Sequence, residues 1–231
     1  FNVNLENTPP GPFELVTPEA GEVLTSTTVT FDWEPASDSD PFNIVTYFIH
    51  VESDTLSWDY EVTPILSEET ILTPEESFPD NRIYHWSVTA DDMHGGVTEN
   101  IGGPRMFVIN VENDPPSSFE ILSPNQNSIQ TDLSPNFSWT AAVDPDPLDS
   151  VEYQLYISFP LWPGEFSFYT SETHYTPDFS FVDNTTFFCM VNAHDMNGDT
   201  VFSGEVVFHT DSIPEPPMNF ATVAPENEVE G

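Results

Sequence analysis

The sequence predicts an all-β chain of tandem β-sandwiches with about seven strands each, and three observations predict it. Apolar and polar residues alternate in short runs, helical periodicity is hard to find, and 23 prolines with many Asp, Asn, Ser and Thr separate the runs. The pattern also repeats. "FNVNLENTPPGPFELV" (Phe1–Val16) returns 106 residues later as "FVINVENDPPSSFEIL" (Phe107–Leu122), and more weakly as "FHTDSIPEPPMNFATV" (Phe208–Val223). Finally, 231 residues suit two domains of ordinary size, each able to bury its own core.

The elements follow in order. In "TVTFDWEP", Val29, Phe31 and Trp33 share one face of a strand, and "PNFSWTAA" offers Phe137 and Trp139 at the matching places. The next strand alternates Val45, Tyr47, Ile49 and Val51, answered by Val151, Tyr153, Leu155 and Ile157. The register then slips by three in a divergent hairpin region, a length change that surface loops absorb cheaply. "DNRIYHWSVTADDMHGG" resumes against "DNTTFFCMVNAHDMNGD" at an offset of 103, and "PRMFVIN" or "EVVFHT" closes each repeat. Seven short antiparallel strands in about 100 residues describe two packed sheets. The expected boundaries are 1–10 for the last strand and linker of a preceding repeat, 11–110 and 111–212 for two domains, and 213–231 for the start of a third. A repeat that starts before residue 1 implies a longer protein.

The run Tyr84, Trp86, Val88, Ala90, Asp92, Gly95, with Trp33 and Trp139 late in the second strand, resembles fibronectin type III domains, which share the immunoglobulin-like sandwich. The variant it resembles is common in bacterial surface and secreted proteins, where "A-x-D-x-x-G" ends the sixth strand and "D-x-D-P" follows the second. The resemblance covers residues 11–212 and implies tandem sandwiches; the function stays open, because this fold carries many. Phe187 stands where the resemblance calls for a corner tyrosine, so the expected hydroxyl bond is lost and that corner should be less rigid.

Charge narrows the function classes. Forty acidic residues face two arginines, Arg82 and Arg105, with no lysine, for a formal net charge of −38. Such a surface repels phosphate backbones and anionic lipid, which excludes nucleic acid as a partner, and it attracts cations. Adaptation of a solvated surface to salt or cold is the other reading. No apolar run is long enough to insert in a membrane, and Cys189, the only cysteine, lies on the apolar face of a strand. The six histidines show no zinc or catalytic spacing, and no nucleophile elbow or phosphate loop occurs, so no enzyme is expected.

The recurring polar feature is a pair of acidic loops. "ASDSDP" places Asp38 and Asp40 after the second strand, and "AVDPDP" places Asp144 and Asp146 there; the loop after the sixth strand supplies Asp92 and Asp195. In the fold that the sequence resembles, these loops lie where the incoming linker arrives. Glu6 and Asn7 are then expected to approach Asp38, Asp40 and Asp92, and Glu112, Asn113 and Asp114 to approach Asp144, Asp146 and Asp195. Calcium takes six to eight oxygens from carboxylates, amide carbonyls and backbone. "VENDPP" is similar to the calcium-binding linker of cadherins, so calcium at both junctions is the expectation, with ordinary turn chemistry of Asp, Asn and Pro as the alternative.

Trp162, Phe166, Phe168 and Tyr169, in the divergent hairpin, are candidate carbohydrate contacts. The expected role is a structural or adhesive segment of an extracellular or cell-surface protein, with neighbouring repeats, surface glycans or further copies of itself as partners. The alternatives are a carbohydrate-binding module of a secreted protein and a filament subunit that assembles by strand exchange.

Overall fold

The computed structural model describes residues 6–40, 43–63, 70–160 and 164–213. Trp162 and most of the expected end strands of neighbouring repeats lie outside the described residues. Among the described residues every regular element is a strand, and no helix is long and apolar enough to cross a membrane.

The first repeat contains β1 (Leu15–Thr17), β2 (Glu22–Leu24), β3 (Phe31–Trp33), β4 (Thr46–Glu52), β5 (Ser57–Val62), β6 (Ile71–Leu72), β7 (Arg82–Asp91), β8 (Val97–Glu99) and β9 (Arg105–Ile109). One sheet runs β1-β3-β6; the other runs β2-β9-β7-β4-β5, with β8 also on β7. The second repeat contains β10 (Ile121–Ser123), β11 (Ser128–Gln130), β12 (Phe137–Trp139), β13 (Glu152–Ser158), β14 (Glu165–Thr170), β15 (His174–Tyr175), β16 (Thr185–His194) and β17 (Thr200–Thr210). Its sheets run β10-β12-β15 and β11-β17-β16-β13-β14, so each repeat is an immunoglobulin-like sandwich.

The nine segments of the first repeat reduce to seven strands. A strand interrupted after Thr17 leaves one sheet as β1 and joins the other as β2, parallel to β9. Pro18 has no N–H to give a ladder, which suits it to the crossing. The closing strand is likewise split into β8 and β9 at Gly102 and Gly103, whose φ values of 85° and 70° favour glycine. Its counterpart β17 runs unbroken from Thr200 to Thr210.

The alternation seen in the sequence becomes the core. Val29, Phe31, Trp33, Tyr47, Ile49, Val51, Tyr84 and Trp86 are buried in the first sandwich, as are Phe137, Trp139, Tyr153, Leu155, Ile157, Phe187 and Cys189 in the second. Phe31 packs 5.1 Å from Trp86 and 5.9 Å from Phe107 between ring centres, and Phe137 lies 5.7 Å from Phe208. Each such buried side chain contributes about 1.5–3 kcal/mol, so the cores fix the strands beneath the acidic loops.

Four side-chain hydrogen bonds shape the ends of the sandwiches. Tyr47 and Tyr153 hydroxyls accept the backbone N–H of Ala36 and Ala142, each at 2.8 Å, where the acidic loops begin. Tyr84 donates its hydroxyl to the Pro79 carbonyl at 2.6 Å. Phe187 cannot do this, yet the equivalent carbonyl of Val182 receives the Thr210 hydroxyl at 2.6 Å, so the second corner keeps a bond from another strand. Both arginines belong to the first sandwich: Arg82, in β7, pairs with Asp54, and Arg105, in β9, donates to the Val16 carbonyl at 3.0 Å. Contacts divide the chain into two compact units, Phe1–Ser117 with Val143–Val151 and Asp195–Thr200, and the remainder.

Candidate functional site

The first linker meets its loops through hydrogen bonds. Asn7 donates its amide to Asp92 Oδ2 at 2.7 Å, and the Thr8 N–H donates to Asp40 Oδ2 at 2.7 Å. Asp38 Oδ1 accepts the Asp40 N–H at 2.7 Å, and Asp38 Oδ2 accepts the Asn43 amide at 3.4 Å. Asp92, fully buried, accepts the His94 and Gly96 N–H groups on Oδ1 at 2.7 and 2.9 Å. Burial alone would raise its pKa, but these N–H donors and the Asn7 amide outweigh burial and hold the carboxyl below its usual range. Gly96 is required here, because a Cβ would stand 2.3 Å from Asp92 Oδ2 and 2.6 Å from Pro9 Cα. Glu6 is exposed beside this network.

The second set of loops repeats the scaffold with different ends. Asn113 donates its amide to Asp195 Oδ2 at 2.9 Å, the Asp114 N–H donates to Asp146 Oδ2 at 2.8 Å, and Asp144 Oδ1 accepts the Asp146 N–H at 2.9 Å. The Asp114 carboxylate turns to the Asn81 amide at 2.8 Å, and Glu112 is exposed. Asp195 Oδ1 accepts the N–H groups of Asn197, Gly198 and Asp199, which with Asn113 overcome the effect of burial and lower its pKa.

The difference lies at two positions. Asn43 becomes Asp149 and Gly96 becomes Asp199. Asp149 Oδ1 accepts the Met196 N–H at 3.1 Å and its Oδ2 accepts the Asn197 amide at 3.2 Å, while Asp199 accepts from Asn113 at 2.9 Å. One oxygen from each of Asp144, Asp149 and Asp195 then lies within 4.8 Å of the others. Asp144 Oδ2 is buried and has no hydrogen-bond partner among the described residues. Burial, followed by the charges of Asp149, Asp146 and Asp195, pushes the Asp144 pKa up. A carboxylate oxygen without a donor, facing two other carboxylates, has the chemistry of a hard-cation ligand set.

Of the residues expected from the sequence, Asp144 and Asp195 enter this trio, while Asp146 and Asn113 hold the linker against it. Asp38, Asp40, Asp92 and Asn7 form the hydrogen-bonded counterpart. Asp149 was missed by the sequence reading, and its signal was the replacement of a neutral amide by an acid between repeats that otherwise align.

The aromatic candidates separate by strand alternation. Phe166 packs 5.1 Å from Phe179, Phe168 stacks 4.8 Å from Tyr175, and Tyr169 is exposed. Cys189 is 1% exposed, and burial pushes its thiol up to about 12, which leaves no thiolate for chemistry.

No protein-family model matches the sequence, and no curated protein matches it. Among solved structures, the chain is similar to the chicken CNTN1 FN1–FN3 domains, at 13% identity and a TM-score of 0.41, over 89% of this chain and 67% of that one.

Proposed function

We propose that this chain is a non-catalytic, structural or adhesive segment of an extracellular multidomain surface protein, and that calcium bound by Asp144, Asp149 and Asp195 stiffens the linker at Glu112–Asp114. The observation that carries the reading is the buried Asp144 Oδ2, which has no donor among the described residues, within a three-carboxylate cluster. The chain has no lysine and only two arginines, both in strands of the first sandwich, so a cation from solution is the natural counter-charge. Calcium suits the donors because it accepts carboxylates, amide carbonyls, backbone and water together in irregular geometry. Asn113 and Asp146 tie the linker to the same loops, so an ion there resists its displacement.

Isothermal titration of the chelator-treated chain with calcium tests the reading. One ion per chain should bind, and small-angle scattering should show a changed maximum dimension on chelation. Absence of heat, or binding unaffected by Asp144→Asn with Asp149→Asn, would remove it.

A further inference from the structure

We propose that the outward face of the five-stranded sheet of the second sandwich binds a neutral polysaccharide, across a row formed by Tyr169, Gln154, Asn192 and Phe202. Register places the first three on one rung, with Tyr169 on β14 opposite Gln154 on β13, and Gln154 opposite Asn192 on β16. In the first repeat the equivalent rung pairs Thr89 with Glu99, and the offset of 103 puts Phe202 of β17 opposite Asn192. The row therefore crosses four strands, about 14 Å at ~4.8 Å per strand, which is the reach of a short oligosaccharide.

The two ends and the middle differ in chemistry. Tyr169 and Phe202 are each 59% exposed, whereas Gln154 and Asn192 are 7% and 6% exposed although they lie on the outward face. Tyr156, two residues along on the same face, donates its hydroxyl to Gln154 Oε1 at 2.6 Å. Among the described residues, Asn192 Oδ1 is left without a partner. A buried acceptor with no donor is unfavourable, so a ligand that brings a hydroxyl to it gains what the free protein lacks.

Charge selects the ligand class. The corresponding rung of the first sandwich runs Glu61, Phe48, Thr89, Glu99, with a carboxylate at each end. Only the second sandwich replaces both acids with aromatic rings. On a chain of net charge −38, the general field repels anionic ligands, and a cation would prefer the carboxylate clusters to this uncharged row. A neutral sugar polymer offers apolar ring faces to Tyr169 and Phe202 and hydroxyls to the amides, which is the pairing of a largely apolar site with a few fixed polar groups.

Affinity electrophoresis of the whole chain in gels containing hydroxyethylcellulose, xylan or soluble starch tests the proposal. At least one polymer should retard the chain, equally with and without chelator, which separates this result from the fate of the calcium reading. Tyr169→Ala and Phe202→Ala, both at exposed positions, should each weaken retardation roughly tenfold, the scale of a truncated aromatic anchor. Their melting temperatures should match the parent. Free migration in all three polymers overturns the proposal, as does retardation that survives in the double variant. Concentration-dependent self-association abolished by the same double variant would reassign the face to a protein contact.

Discussion

At the first linker Asn43 gives Asp38 a hydrogen; at the second, Asp149 gives Asp144 only another lone pair. The two side chains have nearly the same shape, and the surrounding scaffold is the same: a tyrosine hydroxyl under the loop, an Asp-x-Asp turn, and a linker asparagine on a buried aspartate. What changes is the balance of donors and acceptors. A carboxylate can only accept, so replacing one amide converts a satisfied turn into a cluster that lacks a positive charge. At ~4 Å each like-charge pair in such a cluster is unfavourable by about 4 kcal/mol at an effective dielectric of 20. Two repeats that share a backbone therefore differ in how well their acidic loops are supplied with hydrogen-bond donors.

The largest expected effect tests the shared part. Trp33→Ala and Trp139→Ala should each destabilise their sandwich by about 3–5 kcal/mol, seen as loss of the corresponding denaturation transition. If only one of them matters, the scaffolds are not equivalent.

The unshared part comes next. Calcium at a hundredfold excess over its Kd should stabilise the parent by about 2.7 kcal/mol, read as a thermal shift that Asp149→Asn removes. The reverse change, Asn43→Asp, should raise the calcium stoichiometry from one to two by titration. A parent that already binds two ions would break the comparison.

The corners give a smaller contrast. Tyr84→Phe should cost about 1 kcal/mol, and Thr210→Val, which strips the Val182 carbonyl of its side-chain donor, about 1–3 kcal/mol in urea denaturation. A silent Thr210→Val would mean that the second corner is held by packing alone.

Proton titration is the most delicate test, because the signs oppose. Asp92 has a folded pKa below its unfolded value, so its contribution is present above the unfolded pKa and is lost as pH falls through the folded one. Asp144 is raised, so without calcium its contribution is present below the unfolded pKa and is lost as pH rises through the folded one. Carboxyl NMR should place the Asp144 midpoint above and the Asp92 midpoint below that of an ordinary aspartate, and calcium should bring the Asp144 midpoint down.

Much of the fold was legible because burial of β-strands leaves a period-2 record. Trp33, Tyr47, Tyr84 and their partners at fixed offsets define both sheets without further information. The crossing of one strand between sheets at Pro18, and the division of the closing strand into β8 and β9, were not legible, since both depend on which ladder the backbone joins. The acidic loops were visible as loops, yet treating them as copies hid Asp149. Phe187 was read correctly as a missing hydroxyl, but the donor that replaces it, Thr210, comes from a strand where no motif marks it. The candidate sugar contacts were drawn from one stretch of chain, whereas strand alternation turns Phe166 and Phe168 away from Tyr169, and the row containing Tyr169 is assembled across four strands.

The placement of the two arginines has a consequence for durability. A protease that cuts after basic residues finds only the bonds following Arg82 and Arg105, and both lie in hydrogen-bonded strands, β7 and β9, of the first sandwich. Cleavage requires a segment that leaves its ladder and extends into the enzyme, so for trypsin-like enzymes the folded first sandwich is closed and the second, which contains neither residue, offers no bond even when unfolded.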